Sequence, residues 1–187
     1  MVKHAEICPR SSEAIQKIFE DAGAPKGLFT NIYAGHDQIS TLIEDDRVQG
    51  VSLTGSERAG RQIASQAGQA LKKCVLELGG TDAYVVLDSS DVPAAAKTAW
   101  DKRIGNTGQA CTSNKKMIVM EDIYDEFVEE LVKLASEYTE GDPLNPGDGA
   151  EFYPLSSRDA AEKLVQQLKL AVDGGAKVHV LSLIHIS

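Results

Sequence analysis

The sequence predicts an α/β protein with a largely parallel sheet, and three observations carry that reading. Short apolar runs alternate with helical patterns along most of the chain. The runs Val48–Leu53 and Lys73–Leu78 are each of strand length, with a helical pattern from about Glu57 to Gln69 between them. Small and turn-forming residues such as Thr54-Gly55-Ser56 stand where a strand hands over to a helix.

Taken in order, Pro9 to Ala22 reads as a helix, with Ser11-Ser12 as caps and Ala14, Ile15, Ile18 and Phe19 as its apolar stripe. Gly23 stops it. Leu28 to Ala34 is strand-like, and Asp37 to Glu44 is a short helix with Ile39, Leu42 and Ile43 facing inward. Val48 to Leu53 is a buried strand, followed by the Glu57–Gln69 helix and the strand Lys73 to Leu78, which Gly79-Gly80 breaks. Ala83 to Leu87 starts a new strand, Val92 to Arg103 a helix and Lys116 to Met120 another strand. Tyr124 to Tyr138 is an amphipathic helix through Phe127, Val128, Leu131, Val132, Leu134 and Ala135. Gly141 to Gly149 is a loop, Ser156 to Val172 a helix and Ala176 to Val180 a strand. The one domain boundary the pattern offers lies near Gly79-Gly80.

Composition narrows the function. Hydrophobic content of 42% with 25% charged residues is that of a soluble globular protein with a core. The net charge of −9 argues against nucleic acid or an anionic membrane surface as partner, because phosphate-rich surfaces repel an acidic protein. No segment reaches the roughly 20 apolar residues of a membrane span, and the N-terminus lacks the apolar core of a signal peptide. Three cysteines, Cys8, Cys74 and Cys111, have no metal-ligand spacing and suit a reducing cytoplasm. The four histidines are scattered, so no metal site is expected.

Three places carry chemistry. Cys111 ends the small polar stretch Asn106-Thr107-Gly108-Gln109-Ala110, outside any apolar stripe, so its thiol is accessible and nearby amides could hold an oxyanion. Only the thiolate is a strong nucleophile, so it needs a base or a stabilising environment; a small buried hydrophobe is the alternative reading. Glu77 closes an apolar strand before two glycines, where burial would make its carboxylate a stronger base; a strand end pointing to solvent is the alternative. Gly55 to Gly60 follows a strand and opens a helix, which aims backbone amides at a pyrophosphate, although two glycines five apart are not the usual dinucleotide fingerprint.

The motifs Lys3-His4-Ala5-Glu6, Leu53 to Gly60, Leu76-Glu77-Leu78-Gly79-Gly80 and Asn106 to Cys111, in that order and spacing, resemble the aldehyde dehydrogenase superfamily from about residue 1 to 180. The whole pattern is most similar to bacterial succinate-semialdehyde dehydrogenases. The resemblance implies parallel Rossmann-like sheets and a chain truncated at both ends: residues 1–79 as the later part of an NAD(P)-binding domain and 80–180 as the start of a catalytic domain. It implies that Cys111 attacks an aldehyde to give a thiohemiacetal, that hydride leaves to NAD or NADP, and that Glu77 activates the water that hydrolyses the thioester. Lys3, Glu6, Gly55, Ser56, Gly60 and Leu78 are the implied cofactor residues. Glu6 favours NAD, since a carboxylate on the ribose hydroxyls repels a 2′-phosphate, although His4 replaces the proline common there. Gly105 stands where members holding a carboxylate substrate carry an arginine, and Arg103, two residues earlier on a helix, points elsewhere.

The same resemblance implies a homodimeric or homotetrameric parent. It also implies that the asparagine completing the oxyanion hole lies upstream of this sequence, so the isolated chain is expected to be inactive, with weak nucleotide binding at most. Transfer of the thioester to coenzyme A is a further alternative, against which the hydrolytic base Glu77 argues. Residues 181–187, Leu-Ser-Leu-Ile-His-Ile-Ser, depart from the family and match a sequencing adapter read in one frame, so a non-native tail is expected there; a natural terminal strand is the alternative.

Overall fold

The computed structural model describes residues 1–147, 149 and 151–180. They form two compact units, Met1–Gly79 and Gly80–Ser187.

In the first unit, β1 (Val2–Lys3) pairs in parallel with β2 (Asn31–Ile32), and β3 (Gly50–Thr54) pairs in parallel with β4 (Lys73–Glu77). Three helices join them: α1 (Pro9–Asp21), α2 (His36–Glu44) and α3 (Glu57–Gln69). The crossover through α3 is what a parallel β3–β4 pair requires. Its start follows from Ser56, whose hydroxyl oxygen accepts from the Ala59 amide and satisfies one free donor of the first turn. Ile43 and Ala67 are fully buried between α2, α3 and the strands, and Gln66 donates to the Ser40 hydroxyl at 3.0 Å to tie α3 to α2.

The start of α1 differs from expectation. Pro9, whose fixed φ suits a first helical position, begins the helix after Cys8, so Ser11-Ser12 lie inside it and cap nothing. Ser12 is its buried residue and donates to the Asn31 side chain at 2.7 Å, while Ile15, Ile18 and Phe19 are exposed. The apolar stripe therefore faces outward from this unit, with Phe19 stacked on Phe29 at 4.9 Å. The expected strand Leu28–Ala34 is only Asn31–Ile32, because its partner β1 is two residues long. Nor is β3 wholly buried: Val51 and Leu53 are half-buried and Ser52 is exposed.

The second unit holds β5 (Ala83–Val86), α4 (Val92–Ile104), β6 (Lys116–Val119), α5 (Glu121–Ser136), β7 (Thr139–Glu140), β8 (Glu151–Phe152) and α6 (Arg158–Asp173). β5 pairs with β6 and β7 with β8, both in parallel. Pro93 and the Asp91 side chain, which accepts from the Ala94 amide at 3.0 Å, start α4. Ala96 and Ala99 let α4 approach α5 closely, and with Val86, Val92 and the fully buried Phe127 they form the core. The other face of the β5–β6 pair leaves Val85 and Ile118 exposed.

The strands pair in parallel as expected, but among the described residues as four two-stranded sheets. Ala176–Val180 is not a strand: no described residue pairs with it, and Val178 and Val180 are exposed. The expected non-native tail, 181–187, lies outside the described residues.

Candidate active site

The first unit gathers most of the expected cofactor residues at one end of the β3–β4 pair. Register places Thr54 beside Glu77, and the Gly55 amide donates to the Glu77 carbonyl at 2.9 Å, so the turn before α3 and the Glu77 backbone are adjacent. Both lie at the carboxyl ends of parallel strands, where ligands of open α/β sheets bind. Gly60 is buried in α3, and a Cβ on it would stand 2.7 Å from a Leu78 methyl, so the absent side chain is what admits Leu78. Ser56 accepts the helix cap yet keeps its O–H free to donate, and the first-turn amides of α3 face outward from a 13-residue helix. That donor set fits a pyrophosphate. Lys3 and Glu6 belong to the separate β1–β2 region: Lys3 is half-buried in β1, and Glu6 lies exposed in the turn before α1. His4, where a proline is common, packs edge-on against Tyr33 at 5.1 Å.

Glu77 itself is exposed, because β4 alternates and position 77 falls on its outer side. The burial expected to strengthen it as a base is therefore not present within this unit.

Cys111 belongs to the second unit and is exposed. The chain reaches it through the short 3-10 turn Gly105–Gly108, in which Asn106, Thr107 and Gly108 have φ of 55°, 56° and 73°. Left-handed backbone is costly for a β-branched threonine, so neighbours must hold it. They do: Arg103 donates to the Gly108 carbonyl at 3.2 Å, and the Tyr153 amide donates to the Thr107 hydroxyl at 3.2 Å. The Ser156 amide donates to the Gln109 side-chain carbonyl at 2.9 Å, and the Asn106 and Gln109 side chains each donate to the other's backbone carbonyl at 3.3 Å. Arg103 thus turns back onto the loop rather than outward to a substrate.

Beyond Cys111, the Lys115 ammonium donates to the carbonyls of Ala110 and Cys111 at 3.2 and 3.1 Å. Gly80 approaches the same place: a Cβ there would lie 3.1 Å from the Cys111 carbonyl oxygen, whereas Gly79 has open space around it. Sequence reasoning passed over Lys115 and Tyr153 and gave Thr107 no role beyond its place in the motif. A cation four residues after the candidate nucleophile was the available signal for the first; the others join across 46 residues and leave none.

A cavity of about 600 Å³ lies beside the same turn, lined by Asn106, Thr107, Gln109, Tyr138, Glu151 and Tyr153 among others. The Tyr153 hydroxyl donates to the Glu151 carboxylate at 2.9 Å, which pushes the phenol above its ordinary range. Cys111 is not part of its lining. Among the described residues no helix is long and apolar enough to cross a membrane.

Comparison with known proteins bears on this geometry. The chain is 47% identical over 178 residues to a succinate-semialdehyde dehydrogenase [NADP(+)] of Deinococcus radiodurans, a match covering 95% of this chain and 37% of that protein. It is 38% identical over 178 residues to the succinate semialdehyde dehydrogenase [NAD(P)+] Sad of Escherichia coli, covering 95% of this chain and 38% of that one. The crystal structure of succinic semialdehyde dehydrogenase from Streptococcus pyogenes in complex with NADP+ superposes with a TM-score of 0.90 at 43% identity, over 98% of this chain and 40% of that one. The chain therefore spans less than two fifths of the length of these two curated relatives. The aldehyde dehydrogenase family profile matches residues 1–182, and the chain belongs to the aldehyde dehydrogenase family.

Proposed function

We propose that this chain is the part of an NAD(P)-dependent aldehyde dehydrogenase that carries the nucleophile Cys111 and the base Glu77, with succinate semialdehyde as substrate. The observation that carries the reading is the exposed Cys111 at the end of a left-handed turn held by five hydrogen bonds. The thiol is accessible, and the turn that leads to it is held in place. In this reading the Cys111 thiolate attacks the aldehyde carbon, and backbone N–H groups of the loop receive the resulting oxyanion. A bound nicotinamide supplies the hydride acceptor. Glu77 then removes a proton from the water that hydrolyses the thioester.

Residues 1–79 would hold the cofactor and 80–180 the nucleophile. Gly55, Ser56 and Gly60 would take the pyrophosphate, Leu78 would pack against that turn, and Lys3 and Glu6 would meet the adenosine ribose. The NAD preference expected from Glu6 is not supported, since relatives at 47% and 38% identity are named for NADP(+) and NAD(P)+. Physically, that preference needs a carboxylate held against the ribose, and Glu6 is an exposed side chain on a turn. NADP is the better-indicated cofactor. A homodimer or homotetramer is proposed for the complete enzyme. The carboxylate of succinate semialdehyde would need a partner other than Arg103.

A second reading, favoured by the 37% share of the relative's length, is that the 187 residues alone are non-catalytic and bind nucleotide weakly at most. Assaying the purified chain with succinate semialdehyde and either nicotinamide cofactor separates the two. Turnover lost in Cys111→Ala supports the first; no turnover, with measurable NADP binding that Gly60→Val abolishes, supports the second. Turnover that survives Cys111→Ala would dispose of the cysteine mechanism.

A further inference from the structure

We propose that Lys115 is a positioning residue that aims the backbone N–H of Cys111 at the oxyanion formed when that cysteine attacks a carbonyl carbon. The inference rests on the reading of Cys111 as nucleophile. Its physical basis is the peptide plane. Among the described residues no peptide bond is cis, so each amide N–H points opposite to the carbonyl that shares its plane. Lys115 holds the Ala110 carbonyl at 3.2 Å and the Cys111 carbonyl at 3.1 Å. Fixing these two oxygens fixes the directions of the Cys111 and Thr112 N–H groups, which point away from the ammonium.

Three further contacts make the clamp more than a solvated lysine. The Lys115 amide donates to the Asp82 carbonyl at 3.2 Å, anchoring the base of the side chain. The Ser113 amide donates to the Ala110 carbonyl at 3.3 Å, so that oxygen is held from two sides. Gly80 leaves the Cys111 carbonyl uncrowded, where a Cβ would stand 3.1 Å away. A cation on a carbonyl also polarises its peptide, so the N–H beyond becomes a better donor. Charge developing on the substrate oxygen would be met by donors already in place.

The test compares two reactions of the same thiol on the 187-residue chain. With p-nitrophenyl acetate, the Cys111 sulfur forms a bond to the acyl carbon, an oxyanion forms and collapses, and p-nitrophenolate leaves; the thiol proton goes to solvent. With iodoacetamide, sulfur displaces iodide from a saturated carbon and no oxyanion forms. Subtracting the rates of Cys111→Ala removes the contributions of Cys8 and Cys74. Lys115→Met is expected to slow acylation of Cys111 at least about tenfold while changing alkylation by less than about twofold, since losing one oxyanion donor outright costs roughly 10²–10³. Lys115→Arg, which keeps the charge, should retain most of the acylation rate; Lys115→Gln serves in place of Lys115→Met if that variant does not fold. Equal acylation with and without the lysine, or equal slowing of both reactions, overturns the clamp alone. Acylation that does not depend on Cys111 overturns the nucleophile reading and the clamp with it.

Discussion

At Gly60 two effects oppose each other. Alanine is the better helix former by about 1 kcal/mol, but its Cβ would meet the Leu78 methyls at 2.7 and 2.9 Å. Leu78 must then leave its place, and overpacking of this kind costs about 1–3 kcal/mol, so Gly60→Ala should be a net loss of about 1 kcal/mol. The double variant Gly60→Ala/Leu78→Ala decides the cause: without Leu78 the alanine should become neutral or stabilising in urea denaturation, and an unchanged penalty would refute the contact. Asp45 carries a charge effect instead. The Arg47 side chain donates to both its oxygens, at 2.9 and 2.6 Å, and the Arg47 amide adds a third bond, holding the carboxyl well below the usual carboxylate range. A carboxyl whose folded value is depressed stabilises the fold above its unfolded value of about 3.9, and loses that as pH falls through the folded value. Asp45→Asn should therefore lower the urea midpoint at neutral pH, with the gap to the parent closing progressively in acid below about pH 4. A gap constant across that range would exclude the pair as its source.

Between elements, the decisive packing is α4 and α5 against the β5–β6 sheet. Phe127 is 1% exposed there, and Phe127→Ala should cost about 3–5 kcal/mol, read from the urea midpoint followed by Trp100 fluorescence. Ile118, 54% exposed on the other face of the same sheet, should accept threonine at nearly no cost. The sequence made much of this legible. The expected Glu57–Gln69 helix has the observed limits, since the turn before it, its helical pattern and the strand that follows all agreed on it. Long amphipathic elements such as α5 were legible for the same reason. Elements whose length depends on a partner were not: β2 is cut short by β1, and Ala176–Val180 has no described neighbour to make it a strand. The loop before Cys111 was found by its residue types, but its left-handed backbone was invisible, because Asn106 and Thr107 are not glycines, and the bonds that hold Thr107 and Gln109 come from Tyr153 and Ser156 far along the chain. The α1 stripe was read correctly as apolar, and the structure leaves its Ile15, Ile18 and Phe19 exposed. Periodicity identifies an apolar face; it does not say whether another part of the same unit packs on it.

For the whole molecule, the division at Gly79–Gly80 has a testable consequence. Each unit has its own buried residues, Ile43 and Ala67 in the first and the Phe127 cluster in the second. A unit with its own core can melt by itself, so unfolding of the chain should not be a single two-state event. Each unit also carries its own reporter. Trp100, the sole tryptophan, sits in the second unit against Tyr138 at 5.5 Å, and Cys74, half-buried in β4, belongs to the first. Phe127→Ala should move the Trp100 fluorescence transition to lower urea while leaving unchanged the urea dependence of Cys74 modification by a thiol reagent. Asp45→Asn should do the reverse, because Asp45, Arg47 and Lys72 all lie in the first unit. If either substitution displaces both transitions equally, the two units share one cooperative unfolding step and the division carries no energetic meaning.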